Sequence, residues 1–188
     1  MNRLVLGIIP LMLIVPLILW ASGENQQYYK VIGQLRLAVP TDAGDQSYLG
    51  IRQKSGQFGL VDVDAEIIIV EIFSMYCPHC QRHAPEANKL YQEIMADRSL
   101  AKKVKVLGIG VGNSPFEVKF FRKKYSVPFP LFDDANSAVL NSLTGIQTPT
   151  YFGLKNDGRT LTPFFMQQGP YDDAKVFLQT VLRKAGAR

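Results

Sequence analysis

The sequence predicts an α/β protein with a mixed central sheet that helices flank. Two apolar runs, EIIIVEIF at residues 66–73 and KVKVLGIGVG at residues 103–112, have the β-branched composition of buried strands. A helical pattern follows each run, and a hairpin and an amphipathic helix end the chain. Because strands that alternate with helices usually form the parallel half of a sheet, we expect helices on both faces.

The N-terminus has the composition of a secretory signal. The single cation Arg3 precedes an uncharged apolar stretch at residues 4–20, and small residues follow it as a cleavage site. Pro10 and Pro16 favour cleavage because they would interrupt a transmembrane helix, whereas the length of the stretch approaches the roughly 20 residues that span a bilayer. We therefore predict either a cleaved signal or a retained membrane anchor at residues 1–23. Both place the protein outside the cytoplasm, in a bacterial periplasm or on the outer face of the cytoplasmic membrane.

The segments before the first buried strand are predicted to be simple. Residues 24–47 are polar, and we predict a tether with one edge strand at residues 30–39. Residues 48–65 alternate in short runs on either side of a Ser-Gly pair, which predicts an N-terminal hairpin. One globular domain is expected over residues 48–188.

Helices and strands alternate in the rest of the chain. A helix begins at Pro78, where apolar side chains recur every three or four residues, and Pro85 predicts a kink inside it. Ser114 and Pro115 start a second helix. The remaining predicted elements are a strand at 127–134, a helix at 135–145, a hairpin that turns at 155–159 and a final helix at 172–186.

The charge distribution argues against one class of function. The chain carries 21 Lys and Arg residues against 16 Asp and Glu residues, a net charge of +5, and the basic residues are scattered. A nucleic-acid-binding surface normally has clustered basic residues with aromatic side chains between them. We therefore expect no nucleic-acid partner.

The only two cysteines, Cys77 and Cys80, lie between the first buried strand and the helix that follows it. A thiol at a helix N-terminus faces unpaired N–H groups and the positive end of the helix dipole, and both lower its pKa. We predict that Cys77 is the nucleophile, that protonated His79 adds to this effect, and that Cys80 is the buried resolving thiol. A structural disulfide is less consistent with the pair, because closing so short a loop stabilises little.

Glu71 lies six residues before Cys77, in the apolar run that leads to it. We predict a half-buried carboxyl beneath the cysteines, with a raised pKa, that moves a proton on or off Cys80. The alternative is a carboxylate that faces solvent at the edge of the strand.

The stretch VEIFSMYCPHCQRHAP resembles the active-site segment of the thioredoxin superfamily, with its apolar strand, acidic residue, C-x-x-C motif and Ala-Pro pair. The resemblance implies a thioredoxin-like fold with a redox-active disulfide between Cys77 and Cys80. It also implies that Pro149 is cis and that Thr148 presents its backbone to a bound substrate. The helix and strand region inserted before this proline is similar to that of the extracytoplasmic TlpA and ResA group, which shares it with peroxiredoxins.

The resemblance also implies a role. It implies a monomeric enzyme without a cofactor that exchanges disulfides with cysteine-containing exported proteins, while a membrane thiol–disulfide protein donates or accepts the electrons. A reductase of the cytochrome c maturation type fits this group, whereas the Pro78-His79 dipeptide is typical of DsbA-like thiol oxidases, so the direction of electron flow stays open. ResA-like proteins place a Glu where this chain has His83, which we predict to be a surface residue or a second proton relay.

A copper or zinc chaperone on the same fold is the alternative from another class. The motif and its two histidines, His79 and His83, supply four ligands in number, but tetrahedral sites normally draw their ligands from two separated segments. We therefore predict no metal site. A peroxiredoxin is also less consistent with the sequence, because Ser74 occupies the position of the Thr in a T-x-x-C motif.

Overall fold

The computed structural model describes residues 23–187, which form both helices and strands. In chain order they are α1 (Gly23–Gly33), β1 (Arg36–Ala38), α2 (Ala43–Leu49), β2 (Gln57–Gly59), β3 (Ile67–Phe73), α3 (Pro78–Ala96), α4 (Arg98–Lys103), β4 (Val104–Gly110), α5 (Pro115–Lys124), β5 (Leu131–Asp133), α6 (Ala138–Ser142), β6 (Thr150–Asn156), β7 (Leu161–Gln168) and α7 (Ala174–Ala185). The predicted signal or anchor, with its apolar stretch at residues 4–20, lies outside the described residues. No helix within residues 23–187 is long and apolar enough to cross a membrane.

Five strands form the central sheet, in the spatial order β5-β4-β3-β6-β7. β3, β4 and β5 run parallel, while β6 is antiparallel to β3 and β7 is antiparallel to β6. The parallel half holds the strands that alternate with helices, and the antiparallel half is the predicted final hairpin. This mixed sheet flanked by helices confirms the predicted fold class.

β3 is buried on both faces and separates two hydrophobic cores. Alternate side chains of a strand point to opposite faces, so Ile69 and Phe73 enter the core that α3 and α7 complete, whereas Ile68 and Ile72 enter the core that α1, α2 and α6 complete. Burial of each of these side chains stabilises the fold by about 1.5 to 3 kcal/mol. The same alternation places Glu71 on the face that α3 covers.

The predicted starts of two helices are confirmed. Ser114 caps α5 through its hydroxyl, which accepts a hydrogen bond from the Glu117 N–H, and the Glu117 carboxylate accepts one from the Ser114 N–H at 2.7 Å. Asp173 caps α7 by accepting from the Val176 N–H at 2.8 Å. Pro85 lies inside α3, as the sequence indicated.

The predicted tether at residues 24–47 is wrong, because this segment forms α1, β1 and α2. The Asp42 side chain caps α2 by accepting from the Asp45 N–H at 2.9 Å, and Gly50, with φ of 64°, ends the helix. Ile32 and Leu37 of this segment are buried in the core that α1, α2 and α6 complete. The sequence of the segment looks polar because only a few of its side chains are buried. These few pack into the core on one face of the sheet, but they are too few to produce a clear helical or strand periodicity.

The N-terminal hairpin differs in detail from the prediction. An antiparallel pair is present, but β1 and β2 form it, and α2 lies in the connection between them. The predicted edge strand at residues 30–39 is reduced to Arg36–Ala38.

The helix predicted to end at Gly145 is also shorter than expected. α6 ends at Ser142, whose hydroxyl donates to the Ala138 carbonyl oxygen at 2.7 Å, and the Thr144 hydroxyl donates to the Asn141 carbonyl oxygen at 2.9 Å. Side-chain hydroxyls that bond to the local backbone compete with helix propagation, which accounts for the early end.

One ion pair joins α2 of the N-terminal region to α5. The Arg122 guanidinium of α5 donates to both carboxylate oxygens of Asp45 in α2, at 2.5 and 2.8 Å. The Asp45 side chain is 11% exposed and the Arg122 side chain 32%. The bidentate geometry and partial burial make this the ion pair most relevant to stability.

We predict that Asp45→Asn lowers the free energy of unfolding by about 1.5 to 3 kcal/mol, because it leaves the Arg122 charge partly buried without its partner. Denaturant unfolding at neutral pH measures the loss. Glu66→Gln is the matched control, since Glu66 pairs with Lys103 at the surface and the change there is expected to cost at most about 1 kcal/mol. Equal losses in the two variants would contradict the structural role of the buried pair.

Candidate active site

The C-x-x-C motif lies where the turn after β3 passes into the first turn of α3. Cys77 is the N-cap residue of α3, and Pro78 lies in the first turn of the helix. The turn is held by side chains on either side: the Met75 N–H donates to Asn113 Oδ1 at 2.8 Å, and Gln81 Nε2 donates to the Met75 carbonyl oxygen at 2.7 Å. The turn that carries Cys77 is therefore fixed by Asn113, which follows β4, and by Gln81 of α3.

Sequence reasoning missed Asn113. It follows β4 at the carboxyl edge of the parallel strands, and it is fully buried. This edge of an α/β sheet is where functional residues usually collect, so its position after a predicted strand was the signal that could have found it.

The Cys77 thiol is partly exposed and lies beside the segment that precedes β6. Its Sγ donates to the Thr148 carbonyl oxygen at 3.1 Å. Partial burial alone would raise its pKa, but hydrogen bonds from the Thr148 side chain, from Cys80 and from the His79 backbone outweigh burial and hold the pKa below its ordinary value. Cys77 is thus the thiol that ionises more readily.

Cys80 is only 1% exposed, one turn further along α3. Burial raises the pKa of its thiol, and the hydrogen bond with Cys77 and the nearby Glu71 carboxyl raise it further. The two thiols are free in this structure and have opposite tendencies to ionise. Cys80 needs a base before it can act as a nucleophile.

Glu71 is buried, with 6% of its surface exposed, and the solvent-facing alternative is wrong. Burial raises the pKa of its carboxyl to about 7, although a hydrogen bond from the Tyr151 hydroxyl to Oε1, at 3.0 Å, acts to lower it. A carboxyl with this pKa exchanges protons near neutral pH. Its presence beside Cys80 follows from the alternation of β3, which points Glu71 toward α3.

The Thr148–Pro149 peptide bond is cis, as the resemblance implied. Thr148 also lines a pocket of about 290 Å³ whose other walls include Ile72, Tyr76 and Leu140. The pocket adjoins the Cys77 thiol through Thr148, and Tyr76 and Leu140 are exposed apolar side chains. The candidate site therefore offers an apolar surface next to the Cys77 thiol.

His79 and His83 lie in different surroundings. His79 is exposed on the first turn of α3, with its Nδ1 3.2 Å from Arg82 Nη2. His83 is buried, so the predicted surface position is wrong. Its ring packs edge-on against Tyr171 at 4.4 Å and Tyr151 at 5.9 Å between ring centroids, and burial lowers its pKa.

The helical spacing could have located His83. Cys80, His83, Ala84 and Ala87 are all buried residues of α3, and they follow the i, i+3, i+4, i+7 spacing of one helix face. Within residues 23–187, no three His, Cys, Asp or Glu side chains cluster in a way that could hold a metal ion. The described site consists of two thiols, a carboxyl and the groups that surround them.

Comparisons with known proteins support this fold. The AhpC/TSA family matches residues 42–165. A relative from Geobacillus kaustophilus, named thiol-disulfide oxidoreductase ResA, is 26% identical over 107 residues, which cover 56% of this chain and 58% of the relative. The chain thus spans little more than half the length of the curated relatives that it matches.

Two solved structures share the architecture at low identity. A secreted Mycobacterium tuberculosis disulfide oxidoreductase, homologous to E. coli DsbE, superimposes with a TM-score of 0.55 and 13% identity over 82% of this chain and 98% of its own. StoA from Bacillus subtilis gives a TM-score of 0.51 and 19% identity over 67% and 89%. At these identities the likeness shows the fold, which is thioredoxin-like. The match to the AhpC/TSA family covers well over half of this chain, so the chain belongs to that family.

Proposed function

We propose that the chain is a thiol–disulfide oxidoreductase that exchanges a Cys77–Cys80 disulfide or dithiol with cysteines of other proteins. The observation that carries the proposal is the inequality of the two thiols: one is accessible with a lowered pKa, and the other is buried with a raised pKa. An enzyme that forms and then resolves a mixed disulfide needs both properties. The ResA relatives, which are named thiol-disulfide oxidoreductases, support the same activity.

The first step of the reducing direction uses Cys77. Its thiolate attacks one sulfur of a substrate disulfide, a Cys77–substrate disulfide forms, and the other substrate sulfur leaves as a thiolate. The substrate segment next to the bridged cysteine would lie along Thr148, with an apolar side chain in the adjoining pocket.

The second step uses Cys80 and Glu71. The Glu71 carboxylate accepts the Cys80 proton, and the Cys80 sulfur attacks Cys77 Sγ. The second substrate sulfur leaves, so the substrate gains two electrons while Cys77 and Cys80 become a disulfide. A thiol donor must then reduce this disulfide for another cycle.

The reducing direction is the one that we favour, of the type that acts in cytochrome c maturation. A DsbA-like oxidase is the second candidate, because a lowered Cys77 pKa and the Pro78-His79 dipeptide both favour the dithiol form. An oxidase would run the same two steps in reverse and would need an electron acceptor in place of a donor.

We infer that the protein works outside the cytoplasm on cysteine-containing exported proteins, as a monomer with a membrane thiol–disulfide partner. The support is the apolar stretch at residues 4–20 that follows Arg3, together with the likeness to the Mycobacterium tuberculosis oxidoreductase, which is secreted. The direction of transport is the same for a cleaved signal and for a retained anchor.

We predict that Cys80→Ser traps a covalent complex with a disulfide substrate such as insulin, because the mixed disulfide through Cys77 can form but cannot be resolved. Non-reducing gels and mass spectrometry of the intact complex measure the adduct. Cys77→Ser is the matched control and is expected to give no adduct at neutral pH, since Cys80 is buried and protonated. Adducts of equal yield in both variants would show that the assigned order of attack is wrong.

We predict that Glu71→Gln stabilises the fold in a pH-dependent way. The folded protein binds the Glu71 proton more tightly than the unfolded chain does, so stability that is present below pH 4.5 is lost as the pH rises through about 7. The change in pKa corresponds to about 3 kcal/mol. The free energy of unfolding of the variant should therefore rise by about that amount well above pH 7 and by almost nothing near pH 4.5. The attack of Cys80 on the mixed disulfide should slow, because Gln cannot accept its proton.

Denaturant unfolding across this pH range measures the gain. Glu66→Gln serves as a control, because Glu66 is an exposed carboxylate at the start of the same strand. A gain of the same size at every pH would contradict a buried, ionisable Glu71.

A further inference from the structure

Glu71 and Tyr151 are direct cross-strand neighbours. β3 and β6 are antiparallel, and their register pairs Glu71 with Tyr151. Side chains of such a pair share one face of the sheet, and here the Tyr151 hydroxyl reaches Glu71 Oε1 at 3.0 Å. Tyr151 has no exposed surface, so the contact is shielded from water.

The tyrosine is the one hydrogen-bond donor to this carboxyl among the residues that the structure describes, and no ion pair there reaches Glu71. The titratable side chains around the pair are Cys80 and His83 of α3, Tyr171 ahead of α7 and, further out, Cys77, Glu86 and Asp172. Burial lowers the pKa of His83, so it does not supply a cation near neutral pH. An ionised Glu71 therefore depends on the hydroxyl of Tyr151.

Aromatic neighbours fix the orientation of the Tyr151 ring and therefore the position of its hydroxyl. Ring centroids lie 5.1 Å from Tyr171, 5.2 Å from Phe177 and 5.9 Å from His83. Burial and the neighbouring Glu71 charge raise the pKa of the phenol well above its usual value, so it remains a donor wherever Glu71 is ionised.

We propose that Tyr151 is a positioning residue of this site: its hydroxyl, presented by the strand next to Glu71, stabilises and orients the carboxylate that takes the Cys80 proton. The inference rests on the proposed function for its catalytic consequence, but the interaction itself does not require turnover. Nothing in the C-x-x-C motif identifies Tyr151, which enters the site only through the pairing of β3 with β6.

The direct test is the titration of Glu71 in Tyr151→Phe. This change removes the hydroxyl and keeps the ring that packs against Tyr171 and Phe177. Infrared difference spectra over a pH series follow the carboxyl stretch, and Glu71→Gln assigns the band by eliminating it. Because a hydrogen bond to the ionised carboxylate is lost, we expect the midpoint of the Glu71 titration to rise by about 1 to 2 pH units.

A second readout measures the catalytic consequence. The rate at which Cys80 resolves a preformed Cys77 mixed disulfide should fall at pH 7 by about 5- to 50-fold in Tyr151→Phe, in proportion to the ionised fraction of Glu71, and should recover at higher pH. A merely structural defect would lower the rate without moving its pH profile.

Tyr171→Phe is the matched control. It removes a buried hydroxyl from the same aromatic cluster, but that hydroxyl donates to the Glu86 carbonyl oxygen at 3.4 Å. We expect a much smaller change in the Glu71 midpoint. Equal shifts in both variants, or an unchanged midpoint in a folded Tyr151→Phe protein, would overturn the proposal.

The test separates this inference from the proposed function. If the wild-type protein fails to exchange disulfides while Tyr151→Phe still moves the Glu71 midpoint, the proposed function is wrong and the positioning role of Tyr151 stands. If exchange is normal and the Glu71 midpoint does not move in Tyr151→Phe, the proposed function stands and the positioning role of Tyr151 is wrong.

Discussion

The burial of β3 on both faces is the constraint on which the rest of the site depends. A strand that lies between two cores must point every second side chain into each, and this alternation sends Glu71 toward α3. A short turn at residues 74–77 joins the strand to α3, so Cys77 falls at the helix N-terminus and Cys80 one turn deeper. The placement of the carboxyl beneath the buried thiol is a consequence of the same packing that stabilises the sheet.

This packing also explains why the thiols differ. Cys77 lies at the surface among hydrogen-bond donors that favour its thiolate, whereas Cys80 lies in the core, where charge is disfavoured. A buried carboxylate is unfavourable for folding, and here the carboxyl lies next to Cys80, the thiol whose pKa is raised. The loss of stability at Glu71 is thus the counterpart of its proposed use in proton transfer.

Much of the fold and part of the site could be predicted from the sequence. The apolar run of β3, the cap at Ser114 and the C-x-x-C motif are local patterns, so their elements were predicted correctly. The segment at residues 24–47 was not, because its helices are fixed by a few long-range contacts such as Asp45 with Arg122. His83 was predicted at the surface although its helical spacing indicated burial.

The partners of the reactive groups were the least predictable part. Asn113 and Tyr151 lie far from the motif in sequence, and only the pairing of strands and the path of the loop after β4 bring them to it. A single sequence carries no record of strand register, so such contacts appear only in the folded structure.

The reduction potential of the Cys77–Cys80 pair tests the central claim most directly. The protein would be equilibrated with dithiol or glutathione redox buffers at neutral pH, and the reduced fraction would be counted by alkylation. The account predicts a reversible two-electron couple between about −270 and −120 mV, the range of thioredoxin-fold enzymes. Thiols that stay reduced in every buffer would contradict it. So would a disulfide whose reduction potential lies below about −300 mV, as is typical of structural disulfides.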